Sequence, residues 1–270
     1  MDINTVLFAF GLTLFAGLST GIGSALAFFA RRTNTRFLSL ALGFSAGVMI
    51  YVSFIEIFFK AKDTLTGELG DVKGYWATVL SFFGGIIFIA LIDKFVPSFE
   101  NPHAVQKVEA MDNAEQAARY NNLYKMGMFT ALAIAIHNFP EGLATFTAAL
   151  KDPSIGIAIA VAIAIHNIPE GIAVSVPIYY ATGSRKKAFL YSFASGLSEP
   201  IGAALGYAIL FSFFNDIMFG ILFAAVAGIM VFVSLDELLP TAIEYGEAHL
   251  AVYGLVSGMM VMAVSLLLFV

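Results

Sequence analysis

Apolar residues along this chain run in long blocks, broken by polar clusters, Gly/Pro and charge. Reading the breaks gives eight blocks, at 4–30, 37–59, 75–97, 125–149, 154–181, 187–213, 217–238 and 250–270. Each is close to or above the ~20 residues that a helix needs to cross a hydrocarbon core. The pattern predicts an all-α, polytopic membrane bundle of eight transmembrane helices. Connections are short except 98–124, which carries Glu100, Lys107, Glu109, Asp112, Glu115 and Arg119. That stretch reads as a partly helical or mobile polar loop. One transmembrane domain over 1–270, without a soluble appendage, is the economical organisation. The opening Met-Asp-Ile-Asn lacks the basic flank of a cleaved signal, so the first block is expected to remain as a span.

Composition strengthens the membrane assignment. Apolar residues make up 59% and charged residues 12%, against roughly a quarter charged in soluble domains. The net charge of −5 says little about partners, because most acids lie in short connections. The absence of cysteine excludes disulfides and thiolate metal ligands.

Basic residues set the expected orientation. Connections after spans one, three and five hold Arg31, Arg32 and Arg36, then Lys94, Lys107, Arg119 and Lys125, then Arg185, Lys186 and Lys187. The other side holds Lys60, Lys62, Lys73 and Lys151. The richer side is cytoplasmic by the positive-inside rule, so both termini face outward (periplasmic or extracellular) and 98–124 is cytoplasmic.

One segment then occurs twice. Residues 133–144 read AIAIHNFPEGLA and 162–173 read AIAIHNIPEGIA. Residues four apart share a helix face, so His137 projects beside Glu141 and His166 beside Glu170. Asn138 and Asn167 lie at the edges of those faces. Imidazole nitrogen, carboxylate and amide oxygen are ligands suited to divalent first-row metals. Pro140 and Pro169 each remove a helical hydrogen bond, disturbing the carbonyls of Ile136 and Ile165. A kink beside Gly142 and Gly171 would open a hydrated cavity. The turn around Lys151-Asp152-Pro153 makes spans four and five antiparallel, and counting from it puts His137 and His166 at about the same depth. Glu141 is then expected one turn toward the outside and Glu170 one turn toward the cytoplasm.

Span six adds Glu199, directly before Pro200 and about midway along. Three central acids cost on the order of 7–10 kcal/mol on the insertion scale. No Lys or Arg within spans four, five or six offsets them. The compensating charge must come from protons or a bound cation, which points to a cation pathway.

The tandem HNxPEG motifs, the acidic sixth span, eight spans and outward termini together resemble the ZIP (Zrt-, Irt-like) family of divalent metal importers. The resemblance covers essentially the whole chain and is strongest to a bacterial zinc-transporting member. It implies a pathway between spans two, four, five and six with a binuclear centre at mid-membrane. The implied metal ligands are His137, Asn138 and Glu141 from span four, His166, Asn167 and Glu170 from span five, and Glu199 from span six. It also implies uptake by alternating access, with one helix bundle sliding against another. A large branch of the family carries HExPHE in span five. This chain has Asn167 and Glu170 where that motif has Glu and its second His, giving a set richer in oxygen. Many relatives carry a His-rich loop after span three; here that loop holds only His103.

The expected function is therefore import of divalent cations (Zn²⁺, with Fe²⁺, Mn²⁺ and Co²⁺) across the inner (plasma) membrane, with no prosthetic group and no catalytic residues. Expected partners are these ions and the lipid bilayer, not nucleic acid, with a homodimer left open beside a monomer. The alternative class is an intramembrane metal-dependent hydrolase. Against it, a catalytic zinc keeps three protein ligands and one open position, HNxPE is not the HExxH arrangement, and no base or nucleophile stands beyond the ligands. Blander readings also apply. One His–Glu pair alone would be a helix contact, the Gly/Ala texture of spans four to six is close packing first, and Glu56 is an interfacial acid. Asp236, Glu237 and Glu244 are expected to be solvated near the inner mouth.

Overall fold

Backbone groups in hydrocarbon find no water, so long apolar blocks close their hydrogen bonds internally as helices. The computed structural model describes residues 2–29, 35–95, 116–210, 215–245 and 248–267, and their regular structure is helical throughout. The helices are α1 (Ile3–Phe29), α2 (Thr35–Val52), α3 (Phe58–Leu69), α4 (Asp71–Phe95), α5 (Gln116–Lys151) and α6 (Pro153–Thr182). There follow α7 (Arg185–Gly196), α8 (Ser198–Leu210), α9 (Asp216–Val233), α10 (Leu239–Tyr245) and α11 (Ala248–Leu267). Arg31, Arg32 and Lys107, on which the orientation leans, lie outside the described residues, as do His103 and most of the 98–124 loop.

Six stretches are long and apolar enough to cross a membrane: Ile3–Ala25, Arg36–Leu69, Asp71–Ile92, Pro153–Val176, Asp216–Glu244 and Ala248–Leu267. The expected fourth and sixth spans fall outside that set. Where span four was expected, α5 starts nine residues earlier, at Gln116. At 1.5 Å per residue its 36 residues extend about 54 Å, well beyond a ~30 Å core. The expected sixth span is two short helices divided at Leu197. Pro200 has no N–H to give to the Gly196 carbonyl four residues back.

Two π-helical turns were also not expected. Ser53–Ile57 joins α2 to α3, and Ser234–Leu238 joins α9 to α10. Elsewhere the caps follow local chemistry. Asp152 accepts from Ser154 N at 2.9 Å and Pro153 opens α6, so the α5–α6 hairpin turns on a single residue. Asn215 accepts from Met218 N at 2.8 Å at the start of α9. Gly183 ends α6 at φ 61°, where a side chain would be strained.

Glycine divides the helices into two bundles. Among the described residues, every glycine whose side-chain position is blocked by another helix is blocked from within its own set. One set is α1 with α5–α8. Gly23 meets Ile168, Gly171 meets Thr20, Gly142 meets Glu199 and Gly202 meets Phe139. The other is α2–α4 with α9–α11. Gly43 and Gly47 meet Ala251 and Leu255, Gly254 and Gly258 meet Leu40 and Phe44, and Gly85 meets Ala225. Such small-residue contacts let membrane helices bring backbones together. The sets meet through an apolar cluster in which Ala148, Ile159, Ala162 and Ile163 of the first are buried with Met49, Val226 and Met230 of the second.

Candidate functional site

The repeated motif reaches the middle of the first bundle because a one-residue hairpin folds α5 back against α6. His137, Asn138, Glu141, His166, Asn167, Glu170 and Glu199 are all buried, none more than 1% exposed. The structure therefore brings every expected ligand into the protein interior.

Their partnering differs from expectation. His137 Nε2 lies 3.5 Å from Glu170 Oε2, and His166 Nε2 lies 3.2 Å from Glu141 Oε2. Each imidazole thus engages the carboxylate of the opposite helix, while the same-helix contact of His166 with Glu170 is longer, at 3.9 Å. Both cross-helix pairs are centred on the same point of the hairpin, between Pro153 and Ser154. The close approach of Gly156 to Ala149 sets the register of the hairpin, so His137 lies opposite a point between His166 and Glu170 and reaches across to the latter.

Glu199 joins from the first turn of α8. Leu197 keeps helical dihedrals, donating to the Phe193 carbonyl and accepting from Ile201 N, so the chain runs on from α7 into α8 with only a local irregularity before Glu199. Gly142 and Gly202 bring α8 hard against α5, with the Glu199 backbone on Gly142 and the Phe139 carbonyl on Gly202. The glycines of the motif are thus close-contact positions, Gly142 against Glu199 and Gly171 against Thr20, and not the openings of a cavity. Gly196 and Pro200 were the signal for the irregularity.

The two amides orient the site. Asn167 Nδ2 donates to the Ala16 carbonyl at 2.8 Å and to Glu199 Oε1. Asn138 Nδ2 donates to the Ser195 carbonyl at 3.5 Å. With their N–H groups so used, both amides leave Oδ1 without a hydrogen bond. Among the described residues thirteen buried side-chain atoms lack a hydrogen-bond partner, and nine belong to these seven residues. They are both His137 nitrogens, His166 Nδ1, both amide Oδ1 atoms, Glu141 Oε1, both Glu170 oxygens and Glu199 Oε2. Orphaned buried polar groups each cost about 1–3 kcal/mol, so nine in one place call for a ligand.

The same side chains are not yet gathered on one point. Among the described residues no three His, Cys, Asp or Glu groups form a ready metal cage. The imidazoles and carboxylates face one another in pairs across the helices, and of the two pairs only His166 with Glu141 is a hydrogen bond.

One acid outside the motif also lies differently from expectation. Glu237 was expected to be solvated, yet it is 8% exposed in the second π turn and within electrostatic reach of His137. Its neighbour Asp236 and the more distant Glu244 are exposed. Glu56 is half-buried in the first π turn. Sequence spacing could not find Glu237, because a π turn shifts the helix phase without a compositional mark.

Comparison with known proteins shows the family. The family model described as ZIP Zinc transporter matches residues 98–266. The zinc transporter ZupT of Oceanobacillus iheyensis is 67% identical over 266 residues, covering 98% of this chain and 99% of its own. ZupT of Lysinibacillus sphaericus is 66% identical over the full length of both chains, 270 residues. ZupT of Clostridium perfringens is 64% identical over 280 residues, covering 100% of this chain and 98% of its own. These relatives are transporters, and the hydrolase alternative finds no support among them. The chain is a multi-pass membrane protein and not an enzyme, and it belongs to the ZIP zinc transporter family.

Proposed function

We propose that this chain imports divalent metal ions, Zn²⁺ first and Fe²⁺, Mn²⁺ and Co²⁺ as further cargo, across the inner membrane into the cytoplasm. The observation that carries this reading is the concentration of unpartnered nitrogen and oxygen atoms on seven buried residues. A buried group of three carboxylates, with Lys and Arg only toward the ends of its helices, is stable at membrane depth only with a cation or protons present. The ligands would be His137, Asn138, Glu141, His166, Asn167, Glu170 and Glu199.

The cross-helix pairs suggest how the cargo enters. Each imidazole faces a carboxylate at 3.2–3.5 Å. A metal ion binds neutral imidazole and ionised carboxylate, so its arrival parts each pair and releases any proton between them. Two such pairs, with Asn138, Asn167 and Glu199 beside them, offer room for a binuclear centre. The mixed nitrogen and oxygen set without thiolate suits zinc and also the harder first-row ions.

Transport proceeds by alternating access of that site. The whole ligand set belongs to the bundle of α1 and α5–α8. Glycine interlocks tie each bundle internally, and the bundles meet through a largely apolar cluster crossed by the Ser45 hydroxyl, which donates to the His166 carbonyl at 3.5 Å. Two bodies packed more tightly within than between can shift against each other, carrying the site between faces. Eight spans in a single membrane domain over 1–270, termini outward and the 98–124 loop in the cytoplasm, complete the reading.

The test is Zn²⁺ uptake into proteoliposomes holding a zinc-sensitive dye, wild type beside Glu170→Ala. Uptake by wild type alone is expected, with the variant still inserted, since the substitution removes a costly buried charge. Equal uptake by both would move the pathway elsewhere.

A further inference from the structure

One ionic contact joins the two bundles at the end of the molecule where the α5–α6 hairpin turns. Lys151 closes α5 in the bundle that carries the ligands, and Asp216 opens α9 in the other. Lys151 Nζ is 2.9 Å from Asp216 Oδ1 and lies 4.5 Å from the centroid of the Phe219 ring, one helical turn further along α9. Each charge stands at the helix end whose dipole favours it, a cation at the C-terminus of α5 and an anion at the N-terminus of α9. The ammonium therefore has two partners on α9. Its side chain is 32% exposed and that of Asp216 57%, so water reaches the pair and can replace it once it parts.

We infer that Lys151 is a latch residue for transport: its contact with Asp216 and Phe219 holds the two bundles in the arrangement seen here, and it must break in each cycle. This rests on the two-bundle reading of transport above. Lys151 follows the ligand-bearing helix directly, on α5 ten residues after Glu141, so a shift of that bundle along α9 separates the pair. The contact is weak enough to be reversible. An exposed ion pair with a cation–π contact sets the ratio of two states by about three- to tenfold. A latch of that size biases the resting state without trapping the carrier.

The experiment uses the full chain in liposomes. The chain has no cysteine, so Ser154→Cys in the ligand-bearing bundle and Asp71→Cys in the other accept a unique pair of spin labels at exposed positions. Distance distributions are recorded by pulsed dipolar spectroscopy, with and without Zn²⁺, and uptake is measured beside them. Lys151→Met keeps the aliphatic stem and removes the charge. It should lower the ratio of the resting distance to the alternative by about three- to tenfold. Asp216→Asn should do the same, and the exchange Lys151→Asp with Asp216→Lys should restore part of the wild-type ratio. A merely structural role for Lys151 would lower the amount of folded protein without moving the ratio. If wild type shows two distances that Zn²⁺ redistributes and Lys151→Met leaves their ratio unchanged, the latch is overturned while the bundle motion stands. If wild type shows one distance regardless of Zn²⁺, both are overturned.

Discussion

Replacing Gly142 by Ala tests the link between packing and site most directly. A Cβ built at Gly142 would lie 2.5 Å from the Cα of Glu199 and closer still to its carbonyl oxygen. Ordinary contact begins at 3.4 Å, so α5 and α8 must part by about 1 Å. The obstacle is backbone, which cannot rotate away as a side-chain tip would. Overpacking of this kind costs about 1–3 kcal/mol. That corresponds to a fall of about 2–10 °C in Tm by the scaling for chains near this size. The same displacement moves Glu199 away from Asn167, which donates to it, and from the α5 ligands. Zn²⁺ uptake should therefore fall more than stability alone accounts for. The control is Gly84→Ala, where nothing lies within 4 Å of the new Cβ; there the helix should gain about 0.5–1 kcal/mol. Thermal unfolding in detergent and dye-based uptake in liposomes read both effects. If Gly142→Ala matched Gly84→Ala in Tm and uptake, the close approach of α5 and α8 would be wrong.

Two further outcomes follow from the cross-helix pairs. A double-mutant cycle of Glu141→Ala and His166→Ala, read as Zn²⁺ affinity by calorimetry, should give a coupling of about 0.5–3 kcal/mol, because the side chains touch at 3.2 Å; simple additivity would separate the two ligands. Zn²⁺ binding should also release protons and weaken as pH falls, because neutral imidazole and ionised carboxylate are the binding forms. Calorimetry in buffers of different ionisation enthalpy measures that release, and a binding enthalpy independent of buffer would refute it.

Lys151 was legible from sequence only as one basic residue on the poorer side of the membrane, and Glu237 only as an acid near a helix end. Their importance depends on what faces them. Lys151 meets α9 through a fold-level contact 65 residues away. Glu237 turns inward through a π turn that no spacing rule marks. The pairing of His137 with Glu170 lies between these cases. The turn at Asp152 brings α5 and α6 together, yet which carboxylate each imidazole takes is set by side-chain reach across the hairpin and not by counting from the turn.

What the sequence determined by itself is what local physics determines. Transfer energy per residue makes long apolar blocks helical and membrane-embedded, and three central acids without counter-charge are what raised the expectation of a bound cation. Helical spacing puts each His beside its own Glu. The tertiary structure alone decided that each imidazole instead takes the carboxylate across the hairpin. It alone decided the irregularity at Leu197, the two π turns and the division into glycine-locked bundles. Rise and rotation accumulate along a helix, so a residue's partner depends on the register of another helix, and a glycine's role on the backbone that approaches it. Neither is contained in the neighbours along the chain.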